Sequence, residues 1–287
     1  MFSVLDDPCK RGTYTAMNRS AKVLAFIMLA LSLLATTGCN KLKARDKLNK
    51  GVQAYKNAKF EDAIEKFKDA VALDPSLSVA QLYLATAYAN QCTPGVETPE
   101  NQRTCDQAIQ SFKDVLAKDP TSLTAAKGIA SLYFQMKKFD EAKQYNREAL
   151  KIDPKDPESY YSIGVIDWTQ AYAPRMEARN KLGLKPEEPI KDKKVCQDLK
   201  DKNTPYVDEG MQSLDKALEL RPDYDDAMAY YNLLWREKAD IECGDPAARE
   251  ADLKKADEWV DKTLAVKKEK AEKAAQAATG VTVDQSK

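Results

Sequence analysis

The chain has 287 residues, with 45 Lys and Arg against 45 Asp and Glu, no histidine and six cysteines. Balanced charge offers no basic face for neutralising phosphates, which argues against a nucleic-acid partner. The missing histidine excludes Ser-His-Asp, Cys-His and His-ligated zinc or iron sites. Chemistry built on carboxylates, Lys or Tyr alone survives that filter, and no metal or cofactor is expected.

Residues Val23 to Ala35 (VLAFIMLALSLLA) form an apolar run whose one polar member is Ser32. The run is shorter than the roughly 20 residues a membrane-spanning helix needs. With Arg19 and Lys22 before it, the segment has the layout of a secretory signal. The stretch before Met17 carries Asp6, Asp7 and Pro8 without helical period, so Met17 reads as the initiator. The run closes on Ala35-Thr36-Thr37-Gly38-Cys39, which resembles the lipobox of bacterial lipoproteins. That resemblance implies removal of residues 1–38, lipidation of Cys39, and a short tether over 39–43. The other reading is an uncleaved hydrophobic anchor or a core helix. Asn40 after the lipidated cysteine suggests an outer-membrane lipoprotein facing the periplasm. The cell surface and the outer face of the cytoplasmic membrane are alternatives.

Beyond the tether the chain repeats itself. NKGVQAYKNAKFEDAIEKFKDAVALDP, ending at Pro75, and KGIASLYFQMKKFDEAKQYNREALKIDP, ending at Pro154, both read helix, turn, helix, Asp-Pro. The first carries spaced small, aromatic and closing residues at Gly51, Phe60, Ala63, Phe67, Ala70 and Pro75, and the second at Ala130, Tyr133, Phe139, Ala142, Ala149 and Pro154. The pattern resembles the 34-residue tetratricopeptide repeat. Pro120 and Pro154 stand 34 apart, whereas Pro75 to Pro120 is 45 and Pro154 to Pro222 is 68. Repeats two and four therefore carry insertions, and a fifth, degenerate copy with its own insertion starts near Asp225. The expected fold is an all-α, right-handed solenoid of about five helix pairs over 44–264. Small residues let helices approach, and neighbouring repeats supply the core that no pair can bury alone. The tail from 265 reads as a polar, Ala-rich helix covering the last apolar edge, fraying after Gly280.

Cys9 lies before Met17 and Cys39 in the lipobox, leaving Cys92, Cys105, Cys196 and Cys243 with three pairings open. Export permits disulfides. A Cys92–Cys105 bond would clip the insertion of repeat two at its base. A Cys196–Cys243 bond would tie together the insertions of repeats four and five, which leave the same edge. Neither C-x-x-C spacing nor a histidine partner supports redox or metal chemistry.

The resemblance also implies that first helices line a peptide-binding groove. The family's groove positions fall on Leu48, Val52 and Tyr55, on Leu82 and Thr86, on Lys127, Ser131 and Phe134, and on Tyr161, Val165 and Trp168. The family's carboxylate clamp needs several cations there, and Lys127 alone fits. The groove reads as neutral and aromatic, suited to an apolar helix or an extended segment, although each ring could equally pack between helices. The insertion from Tyr172 to Pro205 carries Pro174, Pro186, Pro189 and Pro205 around the helical stretches RMEARNKL and IKDKKVCQDLKDK. It is either a solvated excursion or a docking element. The leading expectation is a membrane-anchored adaptor that binds a membrane-proximal protein or peptide and performs no chemistry. A glycan-binding protein using Tyr161 and Trp168, and a carboxylate-based enzyme, are the other classes.

Overall fold

The computed structural model describes residues 39–185 and 188–279. The apolar run, Met17, the stretch before it and the fraying end lie outside the described residues. The described chain is helical throughout: α1 (39–56), α2 (Phe60–Leu73), α3 (Ser78–Ala89), α4 (Pro99–Lys118), α5 (Leu123–Gln135), α6 (Phe139–Ile152), α7 (Pro157–Lys181), α8 (Lys193–Leu220), α9 (Asp225–Asp240) and α10 (Pro246–Thr279). No strand occurs among the described residues. The chain divides into two compact units, up to Ala80 and from Gln81 onward.

In the first unit α1 and α2 pair through Gly51. A Cβ there would stand 2.5 Å from the Phe67 ring, and Phe67 is fully buried with Ala63 and Ala70. Helix α1 is already helical at Cys39, the first described residue, so the expected tether over 39–43 is itself helical. Lys41, Leu42 and Lys43 are exposed while Ala44 is fully buried.

The second unit repeats the device. Gly128 on α5 admits Phe112 of α4, with 2.6 Å from a would-be Cβ to the ring, and Gly164 on α7 admits Leu214 of α8 at 2.5 Å. From α4 to α10 consecutive helices pack on one another, and α7 also packs on α9. Three repeats end alike. Asp119 and Asp153 accept from the backbone N–H two residues on, at Thr121 (3.1 Å) and Lys155 (2.9 Å), as Asp74 does from Ser76 (3.1 Å) in the first unit. Each aspartate thus closes an Asx turn across the proline that stops its helix. The fourth closing proline follows Arg221, whose backbone adopts the same extended conformation without that turn.

The insertion of repeat four departs from expectation. RMEARNKL is the last part of α7 and most of IKDKKVCQDLKDK the first part of α8, so the segment lengthens both helices instead of forming separate short ones. Pro174 and Pro205 sit inside those helices. Pro174 removes the donor for the Gln170 carbonyl, and the buried Asn203 of α8 donates to the neighbouring Ala171 carbonyl at 2.8 Å. A side chain from the neighbouring helix thereby compensates next to Pro174, which would break an isolated helix.

The last helix is longer than a repeat helix. α10 is continuous from Pro246, and its inward face includes buried Ala256, the Trp259 ring against Tyr231 at 4.9 Å, and Val266. From Lys267 to Ala277 the helix is exposed, with Lys270 reaching Asp225 at 2.6 Å.

Candidate functional site

On α5, buried Ala125, Ala126 and Ala130 seat the helix against its neighbours and leave Lys127, Ser131 and Phe134 along the opposite face. Thr86 of α3 and Tyr161 of α7 complete one cavity of about 750 Å³ in the second unit, with Asn90, Gln135, Glu158, Ser162 and Tyr224 also on its walls. Five predicted groove residues, Thr86, Lys127, Ser131, Phe134 and Tyr161, therefore converge. Leu82, Val165 and Trp168 do not line it. Trp168 lies further along α7, its ring 5.1 Å from Tyr172 and 5.3 Å from Tyr230. Tyr55, with Leu48 and Val52, belongs to the first unit, where its ring meets Phe60 edge-on at 5.4 Å.

Sequence reasoning missed Asn146 and Tyr224. Asn146 stands on α6, a second helix, and is 3% exposed at the cavity wall. Its signal was a polar residue inside the buried stripe between Ala142 and Ala149. Tyr224 precedes α9 and meets the Tyr161 ring at 4.9 Å.

The cavity's charges cancel locally. Lys127 reaches Asp156 at 3.1 Å and Glu158 at 2.5 Å, and Arg221 reaches Glu158 at 3.4 Å. Burial alone would depress the Lys127 ammonium, but hydrogen bonds to Glu158 and Asp156 outweigh it and raise its pKa. The bond from Lys127 holds the Glu158 carboxyl below its usual range. Burial pushes the Tyr161 hydroxyl up and that of Tyr224 to about 12, so both stay protonated.

Two buried ionic clusters lie outside the cavity. Lys143 of α6 donates to Asp167 of α7 at 2.7 Å and to Glu209 of α8 at 3.1 Å, and Glu209 also holds Arg147. Asp167 is fully buried, and desolvation pushes its carboxyl up to about 7 despite Lys143. In the prolonged part of α7, Arg175 pairs with Glu237 (2.9 Å) and Asp240 (2.7 Å) of α9. Arg179 pairs with Asp240 at 2.7 Å and donates to the carbonyls of Lys185 and Glu188. Burial likewise raises Glu237 to about 7.

The cysteines pair as expected: Cys92 with Cys105, Cα atoms 4.8 Å apart, and Cys196 with Cys243, 5.7 Å apart. Cys39 is free and exposed. Among the described residues, no helix is long and apolar enough to cross a membrane, and no group of acidic or cysteine side chains is placed to hold a metal ion.

A tetratricopeptide-repeat family profile matches residues 102–163, from α4 into α7. The helix pairs extend the same architecture on either side. The fold is a tetratricopeptide solenoid. Among solved structures, the chain is similar to the MamA protein (16% identity, 80% of this chain and 94% of that one, TM-score 0.51). It is likewise similar to MamA residues 41 to the end from Desulfovibrio magneticus RS-1 (14% identity, 79% and 96%, TM-score 0.52). A MamA RS-1 double mutant gives 14% identity, 79% and 96% coverage, and a TM-score of 0.53. No curated protein matches by sequence. At such identities the likeness concerns the fold.

Proposed function

We propose that this protein is a lipid-anchored tetratricopeptide scaffold of the bacterial cell envelope that holds a segment of another protein between α3, α5 and α7 and catalyses no reaction. The observation that carries the reading is the convergence of Thr86, Lys127, Ser131, Phe134 and Tyr161 on one open cavity of about 750 Å³. Grooves of this size, mostly apolar with a few convergent polar groups, suit anchor side chains of a bound segment. The apolar run ending at Gly38-Cys39 and the exposed Cys39 thiol support lipidation. Two disulfides suit an oxidising compartment outside the cytoplasm. The glycan reading loses support because Trp168 packs against Tyr172 and edge-on against Tyr230 instead of lining the cavity.

The test is photo-crosslinking in the native host from a benzoylphenylalanine placed at Ser131, with the same residue at exposed Glu250 of α10 as control. A protein adduct from position 131 alone is expected. Equal labelling from both positions, or none from 131, overturns the groove reading. Metabolic labelling with a fatty acid tests the anchor: incorporation should vanish in Cys39→Ser, and incorporation that persists in that variant, or its absence from the unaltered chain, refutes it.

A further inference from the structure

The first two turns of α1 carry charges that the packing of the first unit does not use. Helix α1 meets α2 through Gly51 and Phe67, buries Ala44, and holds Asp69 of α2 by Lys47 at 2.6 Å. Lys50 pairs with Asp46 on its own helix at 2.7 Å. Lys41, Lys43 and Arg45 are exposed, and among the described residues none of them enters an ion pair. Asp74, just past α2, feels Lys41 and Arg45 without bonding either. Its Oδ1 accepts from Ser76, and that bond, helped by the two cations, holds its carboxyl below the usual range. With Asp46 and Asp74 set against Lys41, Lys43, Arg45 and Lys50, this end of the unit keeps two positive charges in excess.

Leu42 stands among these cations and, at 72% exposed, is the most exposed large apolar side chain of the described residues. A lone exposed leucine is ordinary on a protein surface. This one points about 160° round the helix from buried Ala44, with Lys41 and Arg45 on one flank and Lys43 on the other. An apolar residue between cations, turned away from the packed side, suits a helix lying in a lipid headgroup layer. There the leucine and the aliphatic stems reach inward while the charged heads meet phosphate.

Position favours a membrane over a protein surface as the occupant. Arg45 is six residues beyond Cys39, about 9 Å along the helix at 1.5 Å per residue. That matches a Debye length of about 8–10 Å, so all three unpaired charges would feel headgroups in which Cys39 is anchored. Resting on the proposed lipidation of Cys39, we infer that the first two turns of α1 form a second membrane contact, selective for anionic phospholipid. Lys41, Lys43 and Arg45 meet the phosphates, and Leu42 enters the boundary with the acyl chains. The anchor fixes where the chain starts, and this contact fixes which end of the first unit faces the bilayer.

The test uses the chain from Cys39 onward. Its other four cysteines are paired, so a tetradecyl maleimide attaches one acyl chain at the free Cys39 thiol. A single chain of this length binds membranes reversibly, which keeps the equilibrium measurable. Sedimentation compares vesicles of phosphatidylcholine with vesicles of phosphatidylcholine and phosphatidylglycerol in equal parts. The unaltered chain should prefer the anionic vesicles, and the preference should shrink as salt rises. At about fivefold per basic residue, Lys41→Gln/Lys43→Gln/Arg45→Gln should bind them about a hundredfold more weakly and bind the neutral vesicles unchanged. Leu42→Ser should weaken binding to both by about fivefold or more. Lys118→Gln/Lys254→Gln/Lys267→Gln removes the same charge from exposed positions on α4 and α10 and should alter neither. Equal binding of the unaltered chain to both vesicles, or an equal loss in this control, overturns the inference. Anionic preference that survives in the α1 triple variant overturns it too, and leaves those cations to an acidic protein surface. Because the acyl chain is attached in vitro, failed fatty-acid labelling of Cys39 in cells would strike the proposed anchor separately from this measurement.

Discussion

Removing the two disulfides separately should cost different amounts, in an order set by the loops they close. Cys92–Cys105 spans 13 residues and Cys196–Cys243 spans 47. Loop-closure entropy removed from the unfolded chain gives about 3 kcal/mol for the shorter loop and about 4 kcal/mol for the longer. In the native state the region beside this bond has a second fastening, because Arg179 of α7 and Asp240 at the end of α9, both 2% exposed, pair at 2.7 Å. The double variant C196A/C243A should therefore keep the α7–α8 extension docked, and its loss should appear mainly as easier global unfolding. With a urea dependence of about 2–3 kcal/mol per molar, the midpoint should fall by about 1.5–2 M, and by about 1–1.5 M for C92A/C105A. Circular dichroism gives the midpoints, and hydrogen exchange over residues 190–202 reports whether the extension stays protected. A larger loss for C92A/C105A, or loss of protection in folded C196A/C243A, would refute the reasoning.

Gly164→Ala should lower stability by about 1–2 kcal/mol. Overpacking against Leu214, 2.5 Å from the added methyl, costs about 1–3 kcal/mol, and better helix propensity returns about 0.5–1. Combining it with Leu214→Ala should cost less than the two separately in a denaturant-based double-mutant cycle. Lys137 holds φ at 57°, the same left-handed turn that Ala58 occupies at 58°. Lys137→Gly should raise the thermal midpoint, since relief of about 1–2 kcal/mol of strain exceeds the glycine entropy cost of about 0.5–1. The buried Asp167 carboxyl, raised from 3.8 to about 7, predicts pH dependence. A folded value above the unfolded one makes its contribution full below pH 4 and lost as pH rises through 7, at up to about 1.4 kcal/mol per pH unit. Unfolding free energies from pH 4 to 8 should decline less steeply in Asp167→Asn, and identical slopes would refute the assignment.

The helix pairs were legible because their cause is local. Gly51 against Phe67 and the Asp-Pro closures are set by side-chain size and backbone chemistry within one repeat. The groove was legible on α5, where Lys127, Ser131 and Phe134 share a face, but less so on α7. There Tyr161 reaches the cavity while Val165 and Trp168, at helical spacing from it, do not, because Tyr172 and Tyr230 engage the Trp168 ring. Asn146 escaped because it comes from a second helix, whose register alone predicts burial. The α7–α8 extension was misread for a different reason. Pro174 and Pro205 argue for breaks, and the compensating Asn203–Ala171 bond joins residues 32 apart in sequence, invisible until the helices are packed.

The outer end of α10 has a practical consequence. From Lys267 to Thr279 it continues for thirteen residues, about 20 Å at the helical rise of 1.5 Å per residue. Glu269–Lys273 (2.5 Å) and Lys268–Glu272 (3.9 Å) pairs brace it along its own length, and Lys270 fastens it to Asp225 at 2.6 Å. A fluorescent protein or surface-immobilisation handle joined beyond this boom would hang from a helix that contributes no residue to the cavity wall. It is therefore the attachment point at which a sensor could report occupancy without touching the walls being read.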